Sequence, residues 1–490
     1  MSAGSAAAEI RETHISVVAM VGDRAFKLLK PVETGFLDHR RREDRRAACL
    51  RETEVNRRFA PDVYLGVLDV VDADGAPVDH LVAMRRMPAD RALSGLLDGP
   101  GAEADVRAVG RAVAALHRDA PGGRAIARAG LPRTVAGLWD EGLDALARDG
   151  GGAVPARSIE RMRALAVEYV RGRGAMFERR VAEGWIRDGH GDLLADDVYL
   201  LDDGPRILDC LAFDARLRHG DVLLDVAFLA MDLETRGHPD LSDALVDEWS
   251  ASLGETHPRS LLDHYVAYRA HVRAKIAALR ASQGERSGRA RARSLHAFAL
   301  GRLERARVRL VLVGGAPGTG KSTLAEGLGR ALGARVLRSD VGRKRLARVP
   351  VGAGAAAPWE EGIYRPEMTE RVYDGLLAEA GPLLAQGETV VVDASWSRAA
   401  ARRAARRAAH ARAAEVVELR CELPAAEADA RIERRRREGT DASDADSGVA
   451  RAMRRRADPW PEAAPVDTLP PSGDVVEAAH RIVLGTVGAT

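Results

Sequence analysis

Short apolar runs alternate with helix-like segments through the last third of the chain. The runs at 308–313, 334–337, 389–393, 415–421 and 465–468 have the length or the β-branched content of buried strands. Strands that alternate with helices in this way predict a parallel, doubly wound sheet. We therefore expect an α/β domain over residues 305–490.

The first part of the chain follows an α+β pattern. Residues 14–21 and 25–30 predict a hairpin, which a helix over 40–60 and strands over 61–71 and 81–87 follow. Further along, apolar positions at helical spacing predict helices at 104–117 and 263–280. The polar, glycine-bearing segment 283–293 is typical of a linker, and 294–307 predicts a bridging helix. The expected boundaries are 1–280, 281–304 and 305–490.

The turn after the strand at 308–313 carries candidate chemistry. It spells G-x-x-x-x-G-K-[ST], in which glycines let backbone N–H groups surround a phosphate. In such loops the lysine reaches the β- and γ-phosphate oxygens, and the hydroxyl of the next residue joins the Mg²⁺ shell. We therefore expect ATP and Mg²⁺ here. The expected binding residues are Gly315, Gly318, Gly320, Lys321, Ser322 and Thr323.

Composition narrows the cellular setting. The 490 residues carry a net charge of only +2. The chain therefore lacks the strong overall positive charge that would attract nucleic acid or an anionic membrane. Three widely spaced cysteines fit a reducing compartment. No leader peptide is visible, and no apolar run approaches the ~18 residues of a membrane helix. We expect a cytoplasmic protein without a membrane partner; its oligomeric state stays open.

Lysine is rare in this chain, with five among 74 basic residues, so the positions that keep it are candidates for a compact, flexible ammonium. Lys321 fits this idea. The small-apolar-lysine sequence that ends at Lys27 is typical of the third strand of a kinase, whose lysine pairs with nucleotide phosphates. We favour Lys27 over Lys30 for that role, and Glu52 over Glu54 as its partner on the following helix.

Acidic residues frame a predicted strand–turn–strand further along. Asp192 precedes the first strand, within the sequence His-Gly-Asp, and Asp209 ends the second. Kinase-like folds build active sites in this way: the first aspartate orients the acceptor hydroxyl and the last binds Mg²⁺. Asp221 and Asp225 begin a predicted helix whose acidic residues are placed to support this loop. The alternative is a surface hairpin with acidic turns.

With these motifs, residues 9 to about 280 resemble the aminoglycoside phosphotransferase family of two-lobed, kinase-like enzymes. The resemblance implies Asp192 as the catalytic base, Asp209 as a metal ligand, and Lys27 with Glu52 as the pair that positions phosphate. Asp197 stands where the family carries an asparagine metal ligand. A carboxylate still binds Mg²⁺, but its extra negative charge is expected to slow transfer.

Residues from about 305 to 490 resemble P-loop small-molecule kinases, which include gluconate-kinase-like and polynucleotide-kinase-like proteins. The whole chain is similar to bacterial two-domain fusions of these types. In the polynucleotide type a D-x-x-R motif activates the acceptor hydroxyl and grips the substrate, which implies these roles for Asp340 and Arg343. The alternative is an N-capping aspartate with a solvated arginine. Asp393 ends the third strand, where it could reach the metal through water.

Two groups of arginines remain. Arg431, Arg434 and Arg437 precede an acidic segment and resemble the lid of P-loop kinases, whose arginines stabilise charge on the moving phosphoryl group. The alternative is a solvated face. A second group lies on an alanine-rich helix, where we expect solvent exposure. Its members are Arg402, Arg403, Arg406, Arg407 and Arg412.

Together these patterns predict a bifunctional ATP-dependent kinase that acts on hydroxyl groups of small molecules. One alternative is a nucleotide or polynucleotide 5′-hydroxyl kinase in the C-terminal domain, so a nucleic-acid partner is disfavoured but stays open. The other alternative is a P-loop enzyme that is regulated by a non-catalytic, kinase-like ligand-binding domain.

Overall fold

The computed structural model describes residues 9–13, 15–34, 37–350, 365–438 and 447–485, and divides into two compact units. The first unit contains Met1–Pro155, Glu178–His257 and Tyr265–Leu300. The second contains Ala156–Phe177, Pro258–His264 and Gly301–Thr490. Because the units interleave along the chain, the domain boundaries predicted at 280 and 305 stay a prediction.

The first unit begins with an antiparallel sheet and one helix. Its elements are β1 Glu9–Glu12, β2 Ser16–Val21, β3 Arg24–Leu29, β4 Glu33–Thr34, β5 Leu37–Asp38, α1 Arg42–Asn56, β6 Tyr64–Val71 and β7 Pro77–Arg85. Five strands form the sheet in the order β1-β2-β3-β7-β6. The predicted hairpin is confirmed, with Val18 opposite Lys27. Helix α1 closes the core of this sheet through Cys49, which packs with Leu29 and Val82.

The rest of the first unit is mainly helical, apart from short strand pairs. The elements from residue 102 to 305 are α2 Ala102–Asp119, α3 Arg124–Ala127, α4 Pro132–Asp149, α5 Ala156–Gly172, α6 Gly174–Ala182, β8 Ile186–Asp188, β9 Val198–Leu201, β10 Gly204–Ile207, β11 His219–Asp221, α7 Val222–Thr235, α8 Pro239–Leu253, α9 Arg259–Ser282 and α10 Gly288–Arg305. The predicted strand–turn–strand is confirmed as β9 and β10. Helix α7 is apolar because it is buried along nearly its whole length. The second unit takes in α5 and the first residues of α9.

The predicted linker over 283–293 is wrong from Gly288 onward, because α10 already begins there. Glycine and arginine in this segment suggested an irregular loop. Gly288 lies against α9, where an added Cβ would come within 2.7 Å of the Ala277 carbonyl oxygen. The glycine therefore permits a close approach of two helices rather than marking a break.

The second unit contains a parallel sheet flanked by helices. Its remaining elements are β12 Arg309–Gly314, α11 Lys321–Leu332, β13 Arg335–Arg338, α12 Ser339–Leu346, α13 Pro366–Ala385, β14 Val390–Asp393, α14 Ala399–His410, β15 Glu415–Glu422, α15 Ala425–Glu438, α16 Ser447–Arg456, β16 Ala464–Asp467 and α17 Ser472–Leu484. The strand order β13-β14-β12-β15-β16 places β12 at the centre. All four strand pairs are parallel, so the predicted doubly wound sheet is confirmed. The apolar core includes Val311, Leu328, Val391 and Leu419.

Helix α14 departs from the expected solvated arginine face. Arg402 is buried, donates to the carbonyl oxygens of Trp396 and Pro459, and stacks over the Trp460 ring. Arg406 forms a bidentate ion pair with Glu418. The alanine-rich pattern hid this because a long arginine side chain can cross a packed surface to reach buried acceptors. Among the described helices, none combines the length and the apolar sequence that a bilayer span requires.

Candidate active sites

The first unit brings a lysine between two carboxylates. Lys27 on β3 donates to Glu52 of α1 at 2.7 Å and lies 3.5 Å from Asp209, which follows β10. Burial disfavours the ammonium, but Glu52 and then Asp209 outweigh this effect and raise the pKa of Lys27. Lys30 faces elsewhere, donating to Glu12 and to the Thr13 carbonyl oxygen. The pairing of Lys27 with Glu52 thus has the expected geometry.

The Asp209 backbone is held in an uncommon conformation. Its φ is +61°, in the left-handed region that few non-glycine residues adopt. Its N–H donates to the Tyr64 hydroxyl, and Asn56 of α1 forms two hydrogen bonds with the neighbouring Cys210 backbone. The side chain is 63% exposed and therefore available to a ligand. The charge of Lys27 lowers the pKa of Asp209 despite partial burial.

A buried aspartate supports the loop that carries Asp192. Asp225 of α7 accepts the backbone N–H groups of His190 and Gly191 at 2.6 and 2.8 Å. His117 also contacts this carboxylate, at 3.1 Å. Although Asp225 is buried, the contact with His117 and the neighbouring His190 and Arg269 lower its pKa. Asp225 therefore holds the backbone of this loop through two hydrogen bonds, in the supporting position that was expected. Asp192 itself stays 38% exposed.

Asp192, Asp197 and Asp209 form a group of carboxylates that influence one another. Burial raises the pKa of Asp192, whose nearest cation is Arg273 at 3.8 Å. Burial, followed by the charges of Asp209, Asp192 and Asp196, raises the pKa of Asp197 to about 8. The three carboxylates are thus near enough for their charges to interact, with Lys27 beside Asp209 and Arg273 beside Asp192.

The phosphate-binding loop lies between β12 and α11 in the second unit. Gly318 and Gly320 have φ of +81° and +83°, which a side chain would strain. Lys321 lies across the loop and donates to the Ala316 carbonyl oxygen at 2.8 Å. Gly315 donates its N–H to the Ser395 carbonyl oxygen. Helix α11 begins at Lys321, with Ser322 and Thr323 in its first turn, so the helix starts at the loop, as the motif requires.

The neighbouring strand ends supply acids and arginines. Asp393, at the end of β14, is buried and lies 3.5 Å from Arg338 at the end of β13. Asp340 is in the first turn of α12; burial and the nearby Asp393 raise its pKa. Arg343 of α12 is buried and donates to Thr369 of α13. Asp340 is near enough to Asp393, Lys321 and Arg343 for their charges to act on its carboxyl group.

Of the three predicted lid arginines, one contacts the loop region. Arg431 on α15 donates to the Thr468 carbonyl oxygen at 2.9 Å, and a Cβ on Gly320 would lie 3.4 Å from its Nη1. Arg434 and Arg437 are exposed. The acidic segment that was expected beside them, 439–446, lies outside the described residues.

Among the described residues, no cluster of three or more His, Cys, Asp and Glu side chains is arranged to hold a metal ion alone. Mg²⁺ at phosphoryl-transfer sites is commonly bound by one or two carboxylates together with phosphate oxygens and water. Asp209 with Asp197 fits this donor set in the first unit. Ser322 with Asp393 fits it in the second, where Lys321 and the loop N–H groups suit the phosphates of ATP.

Several residues at these sites were not foreseen from the sequence. Asn56 and Tyr64 hold the Asp209 backbone, and Thr468 accepts Arg431 while donating to the Thr319 carbonyl oxygen. Asn56 gave a weak signal, because it is a polar residue on the buried side of α1. Tyr64 and Thr468 gave none, since their partners are distant in sequence: Asp209 is 145 positions from Tyr64, and Arg431 and Thr319 are 37 and 149 positions from Thr468.

Comparison with known proteins places the chain in a family. Over 479 residues it is 39% identical to the uncharacterized protein Rv2004c of Mycobacterium tuberculosis, covering 97% of this chain and 95% of that protein. The chain belongs to the same family as Rv2004c. The uncharacterized protein Mb2027c of Mycobacterium bovis matches with the same identity and coverage. A family model described as an AAA domain matches residues 310–460.

Solved structures of kinases are similar to each part of this family member. A choline/ethanolamine kinase family protein from Mesorhizobium loti is 17% identical, covers 62% of this chain and 87% of its own, and has a TM-score of 0.37. An aminoglycoside phosphotransferase-type structure from Ralstonia eutropha is 12% identical and covers 62% and 94%, with a TM-score of 0.40. A gluconokinase from Sinorhizobium meliloti is 19% identical and covers 37% and 93%, with a TM-score of 0.27.

Proposed function

We propose that this protein is an ATP-dependent phosphotransferase with two sites, each of which transfers the γ-phosphoryl group to a hydroxyl group of a small molecule. The observation that carries the proposal for the first unit is the position of Lys27, 2.7 Å from Glu52 and 3.5 Å from Asp209. Such a lysine positions the phosphates of a nucleotide whose metal ion Asp209 would bind.

In the first unit, Asp192 is the general base that accepts the proton of the acceptor hydroxyl group. Its carboxylate is partly exposed, on a loop whose backbone is fixed by Asp225. Burial raises its pKa toward the range in which a carboxylate serves well as a general base. Lys27 binds phosphate oxygens in this arrangement, and Glu52 keeps the ammonium in place. Bound Mg²⁺ would neutralise charge on the phosphates.

In the second unit, the loop N–H groups and Lys321 bind the phosphates of ATP. Asp340 is the general base that accepts the proton of the acceptor hydroxyl group. Burial raises the pKa of Asp340, which supports a role for its carboxylate as a general base. Arg343, beside Asp340, binds the substrate. Arg431 stabilises charge on the transferred group, with Arg434 as a further candidate on the same helix. Asp393 would hold the metal through water.

A second candidate is an ATP-dependent enzyme in the second unit that is regulated by a ligand-binding first unit. The observation that favours it is Asp197, a carboxyl beside Asp192 and Asp209 whose pKa burial and the neighbouring carboxylates raise to about 8, and which adds negative charge there when it ionises. Excess charge at this place opposes the approach of a phosphoryl group. The two candidates differ in one measurable property, namely whether the first unit transfers phosphate.

The test is transfer of label from γ-labelled ATP to a pool of metabolites by the full chain. We expect labelled products that fall at least ~100-fold with Lys321→Ala and a distinct product set that falls at least ~100-fold with Asp192→Asn. Loss of every product with Lys321→Ala alone supports regulation by the first unit. Products that survive the double variant would refute both sites.

A further inference from the structure

Helix α7 lies along the loop that carries Asp192 and Asp197. Two of its aspartates, Asp225 and Asp232, are seven positions apart, which is about two turns and about 10 Å along the helix axis. At this spacing both carboxylates lie on the same face of the helix. Asp225 accepts the N–H groups at the start of the loop. The carboxylate of Asp232 contacts the other end of the loop, just before β9.

The contact of Asp232 fixes a short turn over residues 195–197, which we call the 195–197 turn. Oδ2 of Asp232 accepts the backbone N–H of Ala195 at 3.0 Å. Ala195 is buried, and a buried N–H without an acceptor is strongly disfavoured, so this hydrogen bond determines where the turn begins. Arg236 adds a second link, because it donates to Asp232 at 3.0 Å and to Asp196 at 2.6 Å.

The position of the turn determines where Asp197 lies relative to Asp209. The Asp197 carbonyl oxygen accepts the Leu208 N–H at 2.9 Å, and Val198 lies opposite Ile207 in the β9–β10 pair. Asp197 and Asp209 therefore flank the same end of this hairpin. Mg²⁺ demands nearly ideal octahedral geometry, so two carboxylates bind it well only when their separation is held close to the required value.

We propose that Asp232 is a positioning residue for the metal site of the first unit: it holds the turn so that the Asp197 carboxylate shares a divalent cation with Asp209. The inference rests on the proposed function of the first unit. The two aspartates of α7 then have separate tasks. Asp225 holds the part of the loop beside the general base Asp192, and Asp232 holds the part beside the metal ligand.

Hydrogen exchange tests whether Asp232 holds the turn, without nucleotide or turnover. Asp232→Ala removes the acceptor of the Ala195 N–H, so the amides of residues 195–197 should exchange roughly tenfold or more faster. The full chain is analysed by mass spectrometry with fragmentation to single residues. The amides of residues 190–191, which donate to Asp225, are the internal reference and should change by less than about threefold. Unchanged exchange of the turn, or equally faster exchange at both places, would overturn the proposal.

A Mg²⁺ titration tests the link between Asp232 and the metal. Binding of a non-hydrolysable ATP analogue to the full chain is measured at a series of Mg²⁺ concentrations, in the Lys321→Ala background that removes the second site. Asp232→Ala should raise the Mg²⁺ concentration for half-maximal binding by roughly tenfold or more, because residues that orient metal ligands affect metal affinity by such factors. Excess Mg²⁺ should restore the affinity. An unchanged Mg²⁺ requirement, or a loss that excess Mg²⁺ does not restore, would refute the role in positioning the metal ligand.

Two variants separate positioning from support of the fold. Asp232→Asn keeps an oxygen acceptor for the Ala195 N–H, so the exchange rates and the Mg²⁺ requirement should stay within about threefold of those of the unaltered residue. If Asp232→Asn behaves like Asp232→Ala, the hydrogen bond is not the cause and the proposal is refuted. Asp247→Ala, which removes an exposed carboxylate from α8, should leave both measurements unchanged.

Failure of the proposed function has a different signature. If the Lys321→Ala chain with Asp232 intact binds no nucleotide at any Mg²⁺ concentration, the first unit is not a nucleotide site, and the metal role of Asp232 is refuted with it. The exchange experiment still decides whether Asp232 holds the 195–197 turn, because it is read without nucleotide.

Discussion

At the residue scale, two lysines three positions apart have different partners. Both lie at the end of the hairpin, and sequence alone left their roles open. Lys27 and Lys30 differ because residues three apart on a strand point to opposite faces of the sheet. One side chain meets Glu52 and Asp209, and the other meets Glu12 at the edge of the sheet.

Lys27→Met should weaken binding of Mg·ATP to the first unit by roughly tenfold or more, because a charge-assisted contact to phosphate is lost. Lys30→Met is the matched control and should change affinity by less than about threefold. Both are measured by calorimetry in the Lys321→Ala background, in which the second unit does not contribute. A larger effect of Lys30→Met would reverse the assignment.

Asp197 predicts a pH dependence of stability. Its pKa is raised to about 8 in the fold, whereas a carboxyl in the unfolded chain titrates near 4. The folded state therefore binds more protons between these values, and the destabilisation from Asp197 grows as pH rises from about 4 to about 8.

Asp197→Asn should raise the thermal midpoint at pH 8.5, without Mg²⁺, by about 2–4 °C or more, the shift expected of ~1 kcal/mol in a domain of this size. The gain should shrink toward pH 4. The control is Asp196→Asn, since hydrogen bonds from Ser94 and then Arg236 lower the pKa of that more exposed carboxyl despite its partial burial. A gain from Asp197→Asn that does not vary with pH would contradict the raised pKa.

Among the helices, α15 carries three arginines that were predicted to act as a group but that have different surroundings. Positions 431, 434 and 437 are spaced three apart, but only Arg431 reaches Thr468 and the phosphate-binding loop in the described structure. Sequence spacing could not show this, because the partner belongs to the segment that follows β16.

Arg431→Ala should lower kcat of the second unit by roughly tenfold or more, with a smaller change in KM for ATP, if it acts on the transition state. Arg434→Ala on the exposed side serves as the comparison, with a smaller decrease. Steady-state kinetics of the full chain give kcat and the KM for ATP of each variant. A loss confined to solubility, with normal kinetics, would support the solvated-face alternative.

The elements that sequence predicted well have strong local signals. The phosphate-binding loop, the five parallel strands and the strand–turn–strand after Asp192 follow from glycine, β-branched and turn residues that lie close together. The helical character of 288–293 was missed because it depends on close packing against α9, which local sequence does not show. The burial of Arg402 was missed because Pro459 and Trp460, which hold it, are more than fifty positions away in sequence. Asn56 and Tyr64 escaped for the same reason.

In the molecule as a whole, each of the two compact units contains the residues of one proposed nucleotide site. The first gathers Lys27, Glu52 and Asp209, and the second gathers Lys321 and Asp393. We propose that both sites bind Mg·ATP. It does not depend on the identity of either acceptor.

The stoichiometry of nucleotide binding to the full chain, measured by calorimetry with Mg²⁺ and a non-hydrolysable ATP analogue, shows whether both sites bind nucleotide. We predict two nucleotides per unaltered chain. Lys321→Ala and Asp209→Asn should each leave one, and the double variant none. One nucleotide per unaltered chain, lost with Lys321→Ala and unaffected by Asp209→Asn, would contradict the account of the first unit as a nucleotide site.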